Sequence, residues 1–335
     1  MIKIGIPRAL LYFQYYPMWK TFFEELGAEV VVSPPTTQTM LAQGSSRVVT
    51  DTCLPVKIFC GHVLSLVNEC DYILIPAIRS VQKRVYNCSK FLGLPDMTRA
   101  VIPESPPILD TDIDVNKGRH RLYYAIYQVG RYFTRNPFKV KRAGQAAWQA
   151  HLNYRQLMSH QGLTPMQAIG EVSVIPEVEP KTSSDSQASA QTTIALIGHP
   201  YLLYDEHINH RLIHRLEQAH CKVLTPEMVT TEELELAIAR LVGRASWTYE
   251  DEVVGAGEHY LRSGADGVIG IMTFGCGPDS LMMDMVHRQA TRLGITPFMS
   301  LTLEEHTAEA GVITRLEAFL DMIQRKKRRQ VAVCV

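Results

Sequence analysis

The amino-acid sequence predicts an α/β fold with two Rossmann-like parallel-sheet domains and a helical insert. Strand-like and helix-like segments alternate from the first residues onward, which is the pattern of βαβ units. The opening segment at residues 4–12 recurs at residues 194–204, and such a repeat indicates two similar halves. With 335 residues, the chain exceeds the usual size of one domain. We expect domains at residues 1–115 and 193–335, a helical region at 116–172 and a flexible linker at 173–192.

The first half contains the elements of a parallel sheet. Gly27 is expected to close the helix that lies between the first two strands. Asp51 or Thr52 is predicted to cap a further helix, whose first turn holds Cys53. A loop with Cys88 follows the third strand, and the chain is then expected to be mainly helical. The strands of this half are predicted at residues 2–7, 30–33 and 72–76.

The second half repeats this arrangement after the linker, which is predicted from its content of Ser and Pro. Cys276 lies between Gly275 and Gly277, at the carboxyl end of a predicted strand, where α/β sheets bind their ligands. A thiolate at this position would lie near the N-terminus of the next helix. The positive partial charge of a helix N-terminus lowers the pKa of a thiol. Strands are expected at residues 194–197, 223–224, 267–272 and 296–301, and a last helix at 302–323.

Charge and hydropathy give no support for a nucleic-acid or membrane partner. The 34 Lys and Arg residues equal the 34 Asp and Glu residues in number. No apolar run approaches the roughly 18 residues that a membrane span needs. The first residues are predicted to form a strand and not a signal peptide, so we expect a cytoplasmic protein. Seven scattered cysteines indicate reduced thiols and not a disulfide framework.

Three cysteines share a local pattern of glycine, proline and a helix start, namely Cys53, Cys88 and Cys276. Structural zinc sites usually contain C-x-x-C spacings, and the sequence has none. Single cysteines on separate loops suit an iron–sulfur cluster, and three of them leave one iron of a cubane open to another donor. The alternatives are that the cysteines only pack in the core, or that one is a nucleophile activated by a histidine.

Several motifs occur together along the chain, namely Ile4-Gly5-Ile6-Pro7-Arg8-Ala9-Leu10, Cys53-Leu54-Pro55-Val56-Lys57, Cys88 with Lys90-Phe91-Leu92-Gly93-Leu94-Pro95-Asp96, Phe274-Gly275-Cys276-Gly277-Pro278-Asp279-Ser280 and Glu305-His306-Thr307. Together these motifs resemble one family, the acyl-CoA dehydratase activase-related proteins. This family is related to the 2-hydroxyacyl-CoA dehydratase and benzoyl-CoA reductase subunits and to the double-cubane cluster proteins. The resemblance implies two Rossmann-like domains and an iron–sulfur cluster bound by Cys53, Cys88 and Cys276. It leaves open whether each chain holds a [4Fe-4S] cubane or a homodimer holds bridged double cubanes.

The resemblance also implies a role and a partner. The sequence contains no Gly-rich phosphate loop, so we expect that the chain does not hydrolyse ATP itself. It is similar to the component that accepts low-potential electrons from a separate ATP-dependent activase and passes them to a substrate such as an acyl-CoA. Whether the chain is an enzyme stays open. The alternative is a non-catalytic accessory protein that stores, inserts or relays a cluster for a dehydratase complex.

Four further residues are candidates for the same site. Lys57 could neutralise the charge of a cluster or of a phosphate, or it could lie on an exposed helix face. His62 could donate a hydrogen bond to a sulfur or move a proton, or it could be structural. Asp279 and Ser280 could hydrogen-bond at the cluster, or they could cap the helix that follows Cys276.

Overall fold

The computed structural model describes residues 1–173 and 191–333. It confirms an α/β fold with parallel sheets and many helices. The strands are β1 (Lys3–Ile6), β2 (Glu29–Val32), β3 (Tyr72–Leu74), β4 (Ala77–Ser80), β5 (Ile108–Leu109), β6 (Asp112–Asp114), β7 (Thr192–Ile197), β8 (Cys221–Leu224), β9 (Gly267–Thr273) and β10 (Phe298–Leu303).

Helices cover both sheets. One segment between α11 and α12, Asp251–Gly255, is a π-helix. The α-helices are α1 (Tyr12–Leu26), α2 (Gln38–Ser45), α3 (Leu54–Ser65), α4 (Ser89–Leu92), α5 (Leu94–Val101), α6 (Arg119–Gly130), α7 (Pro137–Gln161), α8 (Pro165–Ser173), α9 (Pro200–Leu203), α10 (Leu212–Gln218), α11 (Thr231–Leu241), α12 (Ala256–Arg262), α13 (Gly277–Leu293) and α14 (Glu309–Val333).

The two halves contain sheets of the same topology. The first sheet has the order β2-β1-β3-β5, and the second has the order β8-β7-β9-β10. All pairings within both sheets are parallel, with Ile4 opposite Val30 in the first and Ile194 opposite Val223 in the second. The repeat that the sequence predicts therefore corresponds to a repeated sheet. In the second half Cys276 follows β9, whereas in the first half Cys88 follows β4, a short strand that comes after β3 and pairs with β6 in a separate two-stranded sheet.

The helical region between the sheets is part of the hydrophobic core. Helix α7 packs along α1, and its Tyr154 is fully buried. The Tyr154 hydroxyl donates a hydrogen bond to the backbone oxygen of Phe13 at 2.6 Å. The helical insert that the sequence predicts at residues 116–172 therefore packs against the first half through α7. Of the predicted linker, residues 174–190 lie outside the described residues, and Thr192 already belongs to β7.

Two predicted helix starts are wrong. Cys53 itself is the N-cap of α3, with Pro55 at the second helical position, so neither Asp51 nor Thr52 caps this helix. The last helix does not begin at Thr302, because parallel pairing with β9 extends strand β10 to Leu303. In both cases, contacts between elements that are distant in sequence set the boundary, and local propensity alone does not reveal them.

Helices α2 and α3 cross with their backbones in direct contact. A Cβ atom on Gly44 would lie 1.9 Å from the backbone oxygen of Lys57. A Cβ atom on Gly61 would lie 2.1 Å from the backbone oxygen of Met40. Only glycine fits at either position, since real Cβ atoms do not approach other atoms so closely. This crossing fixes the position of α3, and therefore of Cys53 at its start.

Candidate functional site

A cavity between the two halves brings the three predicted cysteines together. Residues from loops of both halves line it, and most of the other lining side chains are apolar. A backbone bridge between Tyr86 and Trp247 joins the halves beside it, with the Thr248 amide donating to the Tyr86 oxygen at 3.0 Å. The cavity is lined by Leu10, Cys53, Pro55, Val56, Asn87, Cys88, Lys90, Phe91, Leu94, His199, Tyr201, Trp247, Thr248, Tyr249, Thr273, Cys276 and Pro278.

Each of the three cysteines occupies the N-cap position of a helix. Cys53 precedes α3, Cys88 precedes α4 and Cys276 precedes α13. At Cys276 the chain leaves strand β9 through Gly275, whose φ of 77° lies in the left-handed region that favours glycine. These positions expose the thiols to the positive ends of the two longer helices, α3 and α13. The fold thus directs three sulfurs from separate loops to one cavity.

Cys276 does not have the lowered pKa that its position at a helix N-terminus predicts. Burial, together with the negative charge of Asp279, raises the pKa of Cys276 to about 12. Burial also raises the pKa of Cys53, and the charge of Cys88 adds to this shift. The backbone amides of Val56 and Asp279 act in the opposite direction, but burial dominates. Ionising several thiols in this cavity therefore needs a compensating positive charge.

Asp279 lies below the cavity and is almost fully buried, with 2% of its surface exposed. Its carboxylate accepts a hydrogen bond from His199 Nε2 at 2.9 Å and another from the Thr273 amide at 3.4 Å. Although burial alone would raise its pKa, the contact with His199 and these hydrogen bonds lower it. Ser280 is exposed, and its hydroxyl donates to the Cys276 backbone oxygen at 2.9 Å. Asp279 therefore borders the site, whereas Ser280 binds only backbone.

Lys57 lies on α3 but does not line the cavity. It is buried, with 5% of its surface exposed, so the alternative of an exposed helix face is wrong. Its Nζ contacts Glu305 Oε2 at 2.9 Å, and Ser45 donates to the same oxygen at 3.0 Å. The charge of Lys57 is thus neutralised by a carboxylate from the loop after β10. This ion pair joins the first half to the second.

Replacing Glu305 with Gln is expected to destabilise the protein by about 2 to 3 kcal/mol, because the buried Lys57 ammonium loses its carboxylate. The variant Lys57→Met removes the ammonium group, so no buried charge is left without a carboxylate. The double variant should therefore be more stable than Glu305→Gln alone. Urea denaturation of the four proteins measures this coupling. A Glu305→Gln protein as stable as the wild type would contradict the ion pair.

His62 also lies away from the cavity wall. It is fully buried, and both ring nitrogens contact hydroxyl groups, Nδ1 that of Ser33 at 2.8 Å and Nε2 that of Thr36 at 2.9 Å. The Thr36 hydroxyl also donates to Asp205 at 2.5 Å. Burial, together with the positive charge of Arg8, lowers the pKa of His62 to about 3. His62 therefore stays neutral near pH 7 and supports the fold without contacting a sulfur.

Acid is expected to destabilise the protein through His62. The pKa falls from 6.5 in the unfolded chain to about 3 in the folded protein, so below pH 6.5 only the unfolded chain takes up this proton. Each pH unit in this window costs about 1.4 kcal/mol, or about 2 kcal/mol at pH 5. His62→Gln should lose that much less stability than the wild type between pH 7.5 and pH 5, as measured by urea denaturation. Equal losses in both proteins would contradict this assignment.

A comparison with models of protein families shows to which family the chain belongs. Residues 3–229 match the family model described as CoA enzyme activase uncharacterised domain (DUF2229), which covers more than half of the 335 residues. The chain belongs to this CoA enzyme activase family. The match confirms the acyl-CoA dehydratase activase-related family that the sequence motifs resemble. A search of curated proteins returned no match.

In this CoA enzyme activase family member, the matched region holds Cys53, Cys88 and His199 but not Cys276. The second half therefore contributes the third thiol from outside the region that defines the family. Within residues 1–173 and 191–333, the structure has no helix of the length and apolarity that crossing a membrane requires.

The donor set of the activase-family cavity fits an iron–sulfur cluster. Besides three thiols, the cavity wall carries buried polar atoms without a hydrogen-bond partner in the described part of the chain, namely His199 Nδ1, Asn87 Oδ1 and Thr248 Oγ1. Among the described residues, no three His, Cys, Asp or Glu side chains lie close enough together to hold one metal ion. Sulfurs spread around a cavity suit a multi-iron cluster better than a single zinc ion.

Sequence reasoning missed the part of the site that surrounds the cysteines. His199, Tyr201 and the segment 247–249 line the cavity but carry no metal-site motif. The repeated opening segment could have identified His199. This residue follows the first strand of the second half, as Pro7 and Arg8 follow the first strand of the first half. In Rossmann-like domains, ligands bind next to the carboxyl ends of the strands, and this applies to both halves of the chain. No comparable signal marks Trp247 or Thr248.

Proposed function

We propose that this protein holds an iron–sulfur cluster, a [4Fe-4S] cubane or a bridged double cubane, on Cys53, Cys88 and Cys276. The protein takes low-potential electrons from a separate ATP-dependent activase and passes them to a small-molecule substrate, for which an acyl-CoA is the leading candidate. The family description supports a CoA-enzyme activase-related role and a partner enzyme.

One observation carries the proposal. Three thiols from three loops and from both halves line a single cavity. Cysteines that serve only to pack the core would have no reason to converge in this way. The other cysteines of the described chain do not line the cavity. They are Cys60, Cys70 and Cys221.

The protein's own residues have defined tasks in this proposal. The thiolates hold the cluster, and the N-termini of α3 and α13 favour the negative charge that it brings. Such a cluster supplies one-electron transfer at low potential. Lys90, an exposed lining residue, adds a positive charge near Cys53 and offsets part of the rise in the pKa of that thiol that burial causes. The apolar lining, with Phe91 and Tyr201, limits the access of water to the sulfurs.

We propose that electrons enter at the rim of the cavity. Trp247 lines the cavity and is 38% exposed, and Tyr86, its bridge partner, is 49% exposed. Phe274, two residues before Cys276, is 70% exposed. Large apolar side chains that remain exposed beside a site are typical of a protein–protein contact. We place the reduced activase at this rim.

The test is the oxidation of a reduced activase by the reconstituted protein under anaerobic conditions. An activase from an acyl-CoA dehydratase system serves as the donor, with ATP present, and its oxidation is followed spectroscopically. We expect electron uptake by the wild type and none by Cys276→Ala, with Cys60→Ala as the matched control. Acceleration by a 2-hydroxyacyl-CoA would identify an enzyme, whereas uptake without acceleration would identify an accessory relay. No uptake by an iron-loaded wild type would contradict the proposal.

A further inference from the structure

His199 lies at the start of α9, and its ring borders the same cavity as the three cysteines. The residue is 5% exposed, and its ring packs edge-on against Tyr201 and Tyr249, with centroid separations of 5.0 and 5.3 Å. On one side, Nε2 contacts the buried carboxylate of Asp279 at 2.9 Å. The ring is therefore held in a fixed orientation at the cavity wall.

The contact with Asp279 determines which nitrogen carries the proton. A carboxylate can only accept, so Nε2 donates its hydrogen, and in the neutral ring Nδ1 then carries a lone pair. Nδ1 is buried and has no hydrogen-bond partner in the described part of the chain. It does not cap α9 either. A buried acceptor without a partner destabilises a protein, so a role in binding would explain why this one is present.

Two other histidines show that this arrangement is specific. His62 is equally buried, but both of its ring nitrogens contact hydroxyl groups, which is the arrangement of a structural histidine. His151 also has an unpaired Nδ1, but it stacks on Tyr15 and does not line the cavity. His199 alone among these three combines a carboxylate on one nitrogen with a free lone pair on the other beside thiols.

We propose that His199 Nδ1 is the fourth protein ligand of a single [4Fe-4S] cubane that Cys53, Cys88 and Cys276 would hold; a bridged double cubane would leave no position for this histidine. This inference rests on the proposed function. Histidines that bind metals almost always donate their other N–H to a carboxylate, and Asp279 provides that carboxylate here. Binding releases no proton, because the lone pair of a neutral imidazole forms the bond. Asp279 is then a positioning residue that fixes the ring and makes Nδ1 more basic.

A neutral imidazole in place of a fourth thiolate makes the site less negative. Replacing thiolate ligands with histidine raises the reduction potential of iron–sulfur centres. His199 would therefore make the cluster easier to reduce by the partner than a cluster with four thiolate ligands. Accordingly, His199→Cys is expected to bind the cluster and to lower its midpoint potential.

Pulsed EPR on the full chain tests the ligand directly. The protein is labelled with 15N only at histidine, reconstituted with iron and sulfide, and reduced with dithionite or Ti(III) citrate. We expect a strong hyperfine coupling to 15N in the wild type and its loss in His199→Gln. His151→Gln is the matched control and should keep the coupling. The wild-type measurement needs no variant, so poor folding of His199→Gln cannot obscure the result.

The outcomes separate this inference from the proposed function. A cluster signal without strong histidine coupling in the wild type would overturn His199 as a ligand and leave the cluster assignment intact. A coupling that survives in His199→Gln would also overturn it, because another histidine would be responsible. An absence of any iron–sulfur signal after reconstitution would overturn the proposed function, and the inference with it.

Discussion

Replacing any one of Cys53, Cys88 and Cys276 with Ala is expected to reduce bound iron several-fold from about four per chain. Each thiol occupies its own helix start, and the described chain offers no second cysteine at the cavity wall to replace it. The remaining two thiols would then hold the cluster too weakly to survive purification. Iron and acid-labile sulfide are measured after anaerobic reconstitution, and circular dichroism verifies the fold of each variant.

Cys60→Ala is the matched control for these three variants. Cys60 lies on the same helix as Cys53 and is fully buried, and burial raises the pKa of its thiol to about 12, so it is inert. We expect this variant to keep the iron content of the wild type. Full iron content in a folded Cys276→Ala protein would contradict the assignment of the ligands.

Replacing Gly61 with Ala is expected to destabilise the protein by about 3 kcal/mol or more, and Gly44→Ala by a similar amount. The new methyl group would collide with backbone atoms of the facing helix, at 2.1 Å in the case of Gly61. Backbone cannot rotate away as a side chain can, so α2 and α3 must separate. The free energy of unfolding in urea measures this effect.

Gly144→Ala provides the control, because the nearest atom to a Cβ at this position in α7 is 3.8 Å away. Ala is favoured over Gly inside helices, so this variant should be as stable as the wild type or more stable by up to about 1 kcal/mol. A Gly61→Ala protein with wild-type stability would show that the two helices do not cross in backbone contact.

The sequence predicted the fold well because the pattern that specifies it is local. Alternation of strands and helices, and a repeated opening segment, are visible without contacts between distant residues. The same holds for the position of Cys276, since a strand, two glycines and a helix start follow one another in the chain. Cysteines from both halves line one cavity, as expected for two Rossmann-like halves that face each other across a cleft.

The rest depends on contacts between residues far apart in sequence. Lys57 is neutralised by Glu305, 248 residues away, and no local pattern connects them. The pKa of the Cys276 thiol depends on burial, which outweighs the helix N-terminus that the sequence does reveal. His199 and Asp279 become a pair only because β7 and β9 are neighbours in the second sheet. The residues that surround the cysteines are therefore set by tertiary contacts, which the sequence alone does not reveal.

Iron and acid-labile sulfide per chain, measured after strictly anaerobic purification, test the central proposal most directly. The visible spectrum is recorded on the same sample before and after exposure to air. We predict about four irons per chain with a brown absorbance that air bleaches, as expected for cubane-type clusters. Sulfide equal to iron would indicate ordinary cubanes, and a slight excess of sulfide would indicate a bridged pair. Absence of iron, even after reconstitution, would contradict the cluster assignment and the electron-transfer function together.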